Sequence, residues 1–213
     1  MKGLILKDLY NMRNYGKSLG IVFGLMALFG VVLKNPAYVC AMMVFLALNA
    51  SLSLMSLDEQ VKWDQYALTM PVNKSLIVKE KLLLSTLFTI CGGVLALILG
   101  VVLTNIFGGD LELLIKCTVV GIYFILLVLA FLIPVIFKFG VEKGRYIMTA
   151  SVFIPVVIFV LVMNYLDGRE IPFTDEMFMS ALNGVVVGGI VVVIAALIIS
   201  YKVSMQVYKN KEW

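Results

Sequence analysis

The densest group of chemically competent side chains in this 213-residue chain runs Asp58-Glu59-Gln60-Val61-Lys62-Trp63-Asp64-Gln65-Tyr66, and closes on Thr69-Met70-Pro71-Val72-Asn73-Lys74. Charges of both signs alternate there around two aromatic rings. That pattern suits recognition: aromatics give buried anchors and the mixed charges an orientable rim. It does not suit catalysis. The chain has no histidine, the commonest acid–base group and metal ligand. No Walker A loop is present to cradle nucleotide phosphates, and no nucleophile stands beside a base. Cys40, Cys91 and Cys117 are odd in number and lack metal-ligand spacing, so they read as small apolar packing residues. The sequence therefore offers no catalytic residue and no metal-ligand set.

The elements around this group are apolar and long. Hydrophobic residues make up 62% of the chain and charged ones 14%, against about 45–50% and 25% in soluble domains. Hydrocarbon offers backbone groups no hydrogen bonds, so a crossing segment closes its own as a helix of about 20 apolar residues. Six runs read as spans: Ser18–Leu33, Pro36–Leu57, Leu82–Phe107, Cys117–Phe137, Tyr146–Leu166 and Met177–Tyr201; the first is short and is counted because the alternation of basic loops requires it. None has an ionisable carboxylate or amine in its interior. Polar candidates at depth are Asn49, Asn105, Asn164 and Asn183, which can glue helices but cannot cycle a proton. This argues against ion-coupled transport and intramembrane hydrolysis. The expected fold is all-α: one transmembrane domain over 1–213.

Basic residues sort by loop. Fourteen of the seventeen fall before span one, between spans two and three, between four and five, or after six; only Lys34, Lys116 and Arg169 fall on the other side. The positive-inside rule then puts both termini in the cytoplasm of a bacterial plasma membrane. The net charge of +4 is a topogenic bias and not a nucleic-acid footprint.

Residues 1–17 are expected to form an amphipathic helix in the headgroup plane of the lipid. Met1, Ile5, Leu9 and Met12 lie on one face, with Lys7, Asn11, Asn14 and Lys17 on the other. Asn35-Pro36 predicts a tight turn. Asn73 or Ser75 is positioned to cap the helix entering span three, and Thr174 the helix after the 167–176 loop. The terminal Trp213 is placed as an interfacial anchor. Gly20 and Gly24, and Gly184 and Gly188, repeat at the small-xxx-small spacing of close helix packing. Pro134 and Pro155 sit inside spans and can kink them.

The segment 58–81 resembles the permease subunits of type-2 ABC exporters, in their small bacterial six-span branch. The resemblance rests on Asp58, Trp63, Tyr66, Pro71, Val72, Asn73, Lys74, Ile77, Val78 and Lys81, and on the basic opening Met1-Lys2-Gly3-Leu4-Ile5-Leu6-Lys7-Asp8-Leu9. Met70 stands where the family more often has Leu. The resemblance implies a cytoplasmic coupling helix that docks a separate ABC ATPase subunit. Asp58, Glu59, Trp63, Asp64, Tyr66 and Pro71 would form it. It also implies ATP and Mg on that partner, with no cofactor on this chain, and a second permease that is a copy or a related paralogue. An uncharged wall suits an amphipathic or hydrophobic cargo such as a peptide, toxin or antimicrobial. The other reading is a non-transporting immunity or peptide-sensing protein.

Overall fold

In the computed structural model, which describes residues 2–69, 73–167 and 175–210, seven helices follow one another: α1 (Lys2–Leu33), α2 (Pro36–Gln60), α3 (Trp63–Thr69), α4 (Lys74–Phe107), α5 (Leu111–Phe139), α6 (Val141–Asp167) and α7 (Asp175–Lys209). All but the seven-residue α3 are long and apolar enough to cross a membrane.

The turns follow from local chemistry. Lys34 takes φ +51° and ends α1. Asn35 then caps α2, its Oδ1 accepting from the Ala37 amide at 3.1 Å. Pro36 fills the first helical position, where a missing N–H costs nothing. Gly108 closes α4 and Gly140 closes α5, both in backbone regions that only glycine enters readily (φ +81°, ψ 163° and φ +87°, ψ 168°). Asp110 Oδ1 caps α5 through the Glu112 amide. Asn73 occupies the N-cap position of α4, but its side chain makes no capping bond; its carbonyl accepts from the Leu76 amide at 2.8 Å instead.

Packing sorts the helices into an inner and an outer set. α2 packs on α4, α5 on α7, and α4 joins the two pairs, while α1 leans on α2 and α6 on α5. Of the spanning windows, 61% of α2 is buried against 6% of α1 and 6% of α6. The inner seam is filled by Met43 and Leu48 from α2, Ile77, Val78 and Ala96 from α4, and Leu132 and Ile133 from α5.

Three features depart from the sequence-based expectations. Residues 2–17 are helical but are not set off from the first span by a break: α1 is one continuous 32-residue helix, because nothing between Lys2 and Leu33 interrupts it. Asn49 and Asn105 donate to the carbonyls of Phe45 and Val101 on their own helices, so neither glues two helices. The close backbone approaches also fall elsewhere. A Cβ at Gly20, Gly24, Gly184 or Gly188 would meet nothing within 4 Å, whereas one at Gly92 would stand 2.5 Å from Ala47 Cβ and one at Gly100 2.5 Å from Cys40 Sγ. The reason is the layering: Gly20 and Gly24 lie on the exposed α1, Gly184 and Gly188 line an open groove between α5 and α7, and Gly92 and Gly100 lie in the inner seam. The 168–174 loop with Pro172 and Thr174, and Trp213, lie outside the described residues.

Candidate functional site

At 1.5 Å per residue, the 34-residue α4 is about 51 Å long, well beyond a hydrocarbon core of about 30 Å. Its apolar run begins at Leu82, so the turns from Lys74 to Lys81 project past the span at one end of the bundle. The start of α1, the last turn of α2 and all of α3 gather at that same end.

The short helix α3 hangs between α2 and α4. Val61 and Lys62 make the bend, with Lys62 at φ +51° and its amide donating to the Glu59 carbonyl at 3.1 Å. Ala67, 1% exposed, sets α3 down on the bundle. Trp63 is half-buried and receives the Lys7 ammonium 4.1 Å from its ring centroid, a cation–π contact. The Tyr66 ring lies 5.6 Å from that of Trp63 and is 57% exposed. Of the two aromatics, Trp63 thus seats the helix and Tyr66 is the one presented outward. The backbone of Asp64 lies in α3, while its side chain, like the whole of Pro71, falls outside what is described.

Asp58 and Glu59 both turn toward the bundle. Asp58, 6% exposed, accepts from Lys7 Nζ at 2.8 and 3.0 Å and pairs with Lys81. Lys81 also meets Asp8 Oδ2 at 2.5 Å, and Lys7 lies 2.7 Å from Asp8 Oδ1. Glu80 completes the group, its Oε2 3.9 Å from Lys81 Nζ. Three helices thereby contribute two ammonium groups and three carboxyls, and Asp8 and Glu80 are each only 1% exposed. Glu59 works on another helix: its Oε2 accepts from the Val141 amide at 2.6 Å, capping α6 across the bundle. Carboxylate there also meets the positive end of the α6 dipole.

The environment shifts three of these groups, all of which stand outside the apolar spans. Burial pushes the Asp8 carboxyl up, but its hydrogen bond with Glu80 and the nearby Lys81 and Lys7 outweigh that and hold it below its ordinary value. Burial would depress the Lys81 ammonium; the Glu80, Asp58 and Asp8 carboxyls more than reverse this and raise it. For Glu80 burial and the hydrogen bond with Asp8 act together against Lys81, and its pKa rises to about 8. Chemically, the arrangement is a buried ion-pair network that ties α1, α2 and α4 together. Removing one partner from such a buried set leaves an uncompensated charge, at a cost of about 3–5 kcal/mol.

Among the sequence-derived site residues, the fold brings Asp58, Glu59, Trp63 and Tyr66 to one end. It separates them by role: Asp58, Glu59 and Trp63 face inward and Tyr66 outward. The site role of Asp8 and Glu80 was missed by sequence reasoning. A signal existed. Asp8 shares a helical face with Leu4, Ile5 and Met12, and Glu80-Lys81 interrupts the apolar stripe Ile77, Leu84.

A bundle of six apolar helices of this length defines a multi-pass α-helical membrane protein. More narrowly, residues 3–209 match the family model described as "ABC-2 family transporter protein", and the chain belongs to that family. No curated protein and no solved structure matches it.

Proposed function

We propose that the chain is the membrane-spanning permease subunit of an ATP-driven exporter, and that α3 is the handle through which a separate ABC ATPase drives it. Membrane proteins of this family work in general with ABC ATPases. The observation that carries the reading is the mounting of α3. It is tied covalently to α2 and, through the short 70–73 connection, to α4, and it is footed on α1 by the Lys7–Trp63 contact. A push on Tyr66 therefore reaches three helices at once. The sorting of basic residues supports a cytoplasmic position for this end and for both termini. ATP and Mg belong to the partner, and this chain contributes no ATPase site.

A second permease, either a copy or a paralogue, completes the translocation path. The bare faces of α1, α6 and α7, with Gly20, Gly24, Gly184 and Gly188 open, are the surfaces left for it and for lipid. Uncharged walls favour an amphipathic or hydrophobic cargo such as a peptide, toxin or antimicrobial agent. The test is copurification with the ATPase. Tyr66→Ala, which strips an exposed aromatic anchor, should weaken association by about 2 kcal/mol, roughly thirtyfold. Unchanged association on replacing the outward residues of α3 together would reject the docking role.

A further inference from the structure

The Asp8–Glu80 contact has an electrostatic arithmetic of its own. Lys7 and Lys81 supply two positive charges, and Asp8 and Asp58 balance them. A third carboxylate, from Glu80, would leave a net negative charge in a site where Asp8 and Glu80 are 1% exposed. Such a charge is costly to bury, and two like charges side by side cost more. The hydrogen-bond inventory points the same way. Glu80 Oε1 is buried with no donor, and Asp8 Oδ1 has only the Lys7 ammonium in ion contact, outside hydrogen-bonding geometry. Two adjacent carboxyls short of donors are satisfied by one hydrogen placed between them.

The other elements packed on α4 also carry titratable groups among the described residues. On α2 Asp58 faces the site, and Glu59, which lines the same small pocket as Asp58 and Lys81, accepts from the Val141 amide. On α5 the basic group at this end is Lys138, exposed and over the Phe139 ring. On α7 the titratable groups here are Tyr201, Lys202, Tyr208 and Lys209; Tyr201 lies under Lys79, and Tyr208 packs edge-on against Phe137.

We infer that the Asp8 and Glu80 carboxyls hold one proton between them, and that this proton keeps the start of α1 seated on α4 as a proton-binding latch. With the proton bound, two cations face two anions and the seam is neutral. When it leaves, three anions face two cations, and repulsion between Asp8 and Glu80 works against the α1–α4 contact. Because Lys7 belongs both to this seam and to the footing of Trp63, loosening the latch frees α3 from α1. The pKa of Glu80, raised by burial and by Asp8, agrees with a proton held at neutral pH. The inference concerns the isolated chain and stands apart from the transport reading.

The experiment is infrared difference spectroscopy on the purified full chain in lipid nanodiscs, titrated from mildly acidic to alkaline pH. The wild type should lose a protonated-carboxyl C=O band with a midpoint near 8. Glu80→Gln, which keeps shape and hydrogen-bonding capacity, should abolish that band. Asp8→Asn should move the midpoint down by about one unit or more, because the neighbour that favours the proton is gone. A nitroxide pair on Leu6 and Leu83, both exposed, should broaden its distance distribution above the midpoint in the wild type and not in Glu80→Gln. Absence of any protonated-carboxyl band in the wild type at mildly acidic to neutral pH would overturn the inference, and so would an unchanged band in Glu80→Gln.

Discussion

The two ends of the bundle are built on different principles. At the α3 end, polar contacts join residues far apart in sequence: Lys7 to Asp58, Lys81 to Asp8, Glu59 to Val141. At the opposite end, among the described residues, the capping and charged contacts are local, and the long-range polar contacts nearest to it are neutral, Cys40 Sγ to the Ala96 carbonyl and the Tyr123 hydroxyl to the Val186 carbonyl. Asn35 and Asp110 cap their own helices, and Lys116 pairs with Glu112 one turn away. There an open cleft of about 490 Å³ lies between α2 and α5, lined by Tyr38, Cys40, Ala41, Val44, Cys117 and Thr118. Buried ion pairs thus bind three helices together at the α3 end, while caps and a one-turn ion pair end single helices at the other.

The largest expected effect comes from cutting the ties. Lys81→Met removes one of the two cations that Asp8 and Asp58 share, leaving the buried carboxyls to Lys7, and should cost about 3–5 kcal/mol in thermal or denaturant unfolding in detergent. Lys116→Met removes an ion pair whose Glu112 side chain is 67% exposed, and should leave the same transition unmoved. Equal losses in the two variants would erase the contrast between the ends.

Next come the two glycine turns. Gly140→Ala forces alanine into a glycine-only region, at about 1–3 kcal/mol, and drives its Cβ to 2.6 Å from Glu59 Oε1. Gly108→Ala meets a similar backbone penalty with nothing within 4 Å. The first should therefore destabilise more than the second, and Glu59→Ala should narrow the gap. Alone, Glu59→Ala should cost about 1 kcal/mol, the worth of an N-cap.

The subtlest effect is on pH. Glu80 has an ordinary value of 4.5 and a folded value of about 8, so the folded state binds more proton between those limits. Stability should fall as pH rises through that window and level off above 8. Asp8 has the opposite sign: its folded value is depressed, so its contribution is present above 3.8 and fades as pH falls through the folded value. Unfolding midpoints read across this range should be highest at mildly acidic pH in the wild type. In Glu80→Gln they should lose the alkaline decline.

Much of the fold was legible because lipid imposes a simple rule. Apolar length pointed to six spans, Asn35-Pro36 to the first turn, and the Asp58–Tyr66 run to the short connection that folds as α3. The rest depended on which face of each helix turns inward, and runs that are apolar all round carry little of that information. Hence Gly20, Gly24, Gly184 and Gly188 read like packing glycines but meet no close neighbour, the last two lining an open groove beside α5, while Gly92 and Gly100 do the packing. Asp8 reads as one charge in a basic leader, and Glu59 as a rim charge. Their partners lie 73 and 82 residues away and are found only once the helices are assembled.

The account stands or falls on which end meets the ATPase, and photo-crosslinking in native membranes reads that directly. A photoreactive residue placed at Tyr66, exposed on α3, and another at Tyr38, exposed at the far end, should behave oppositely: the first yields a crosslink to the ATPase and the second none. A crosslink from position 38 with none from position 66 would contradict the assignment.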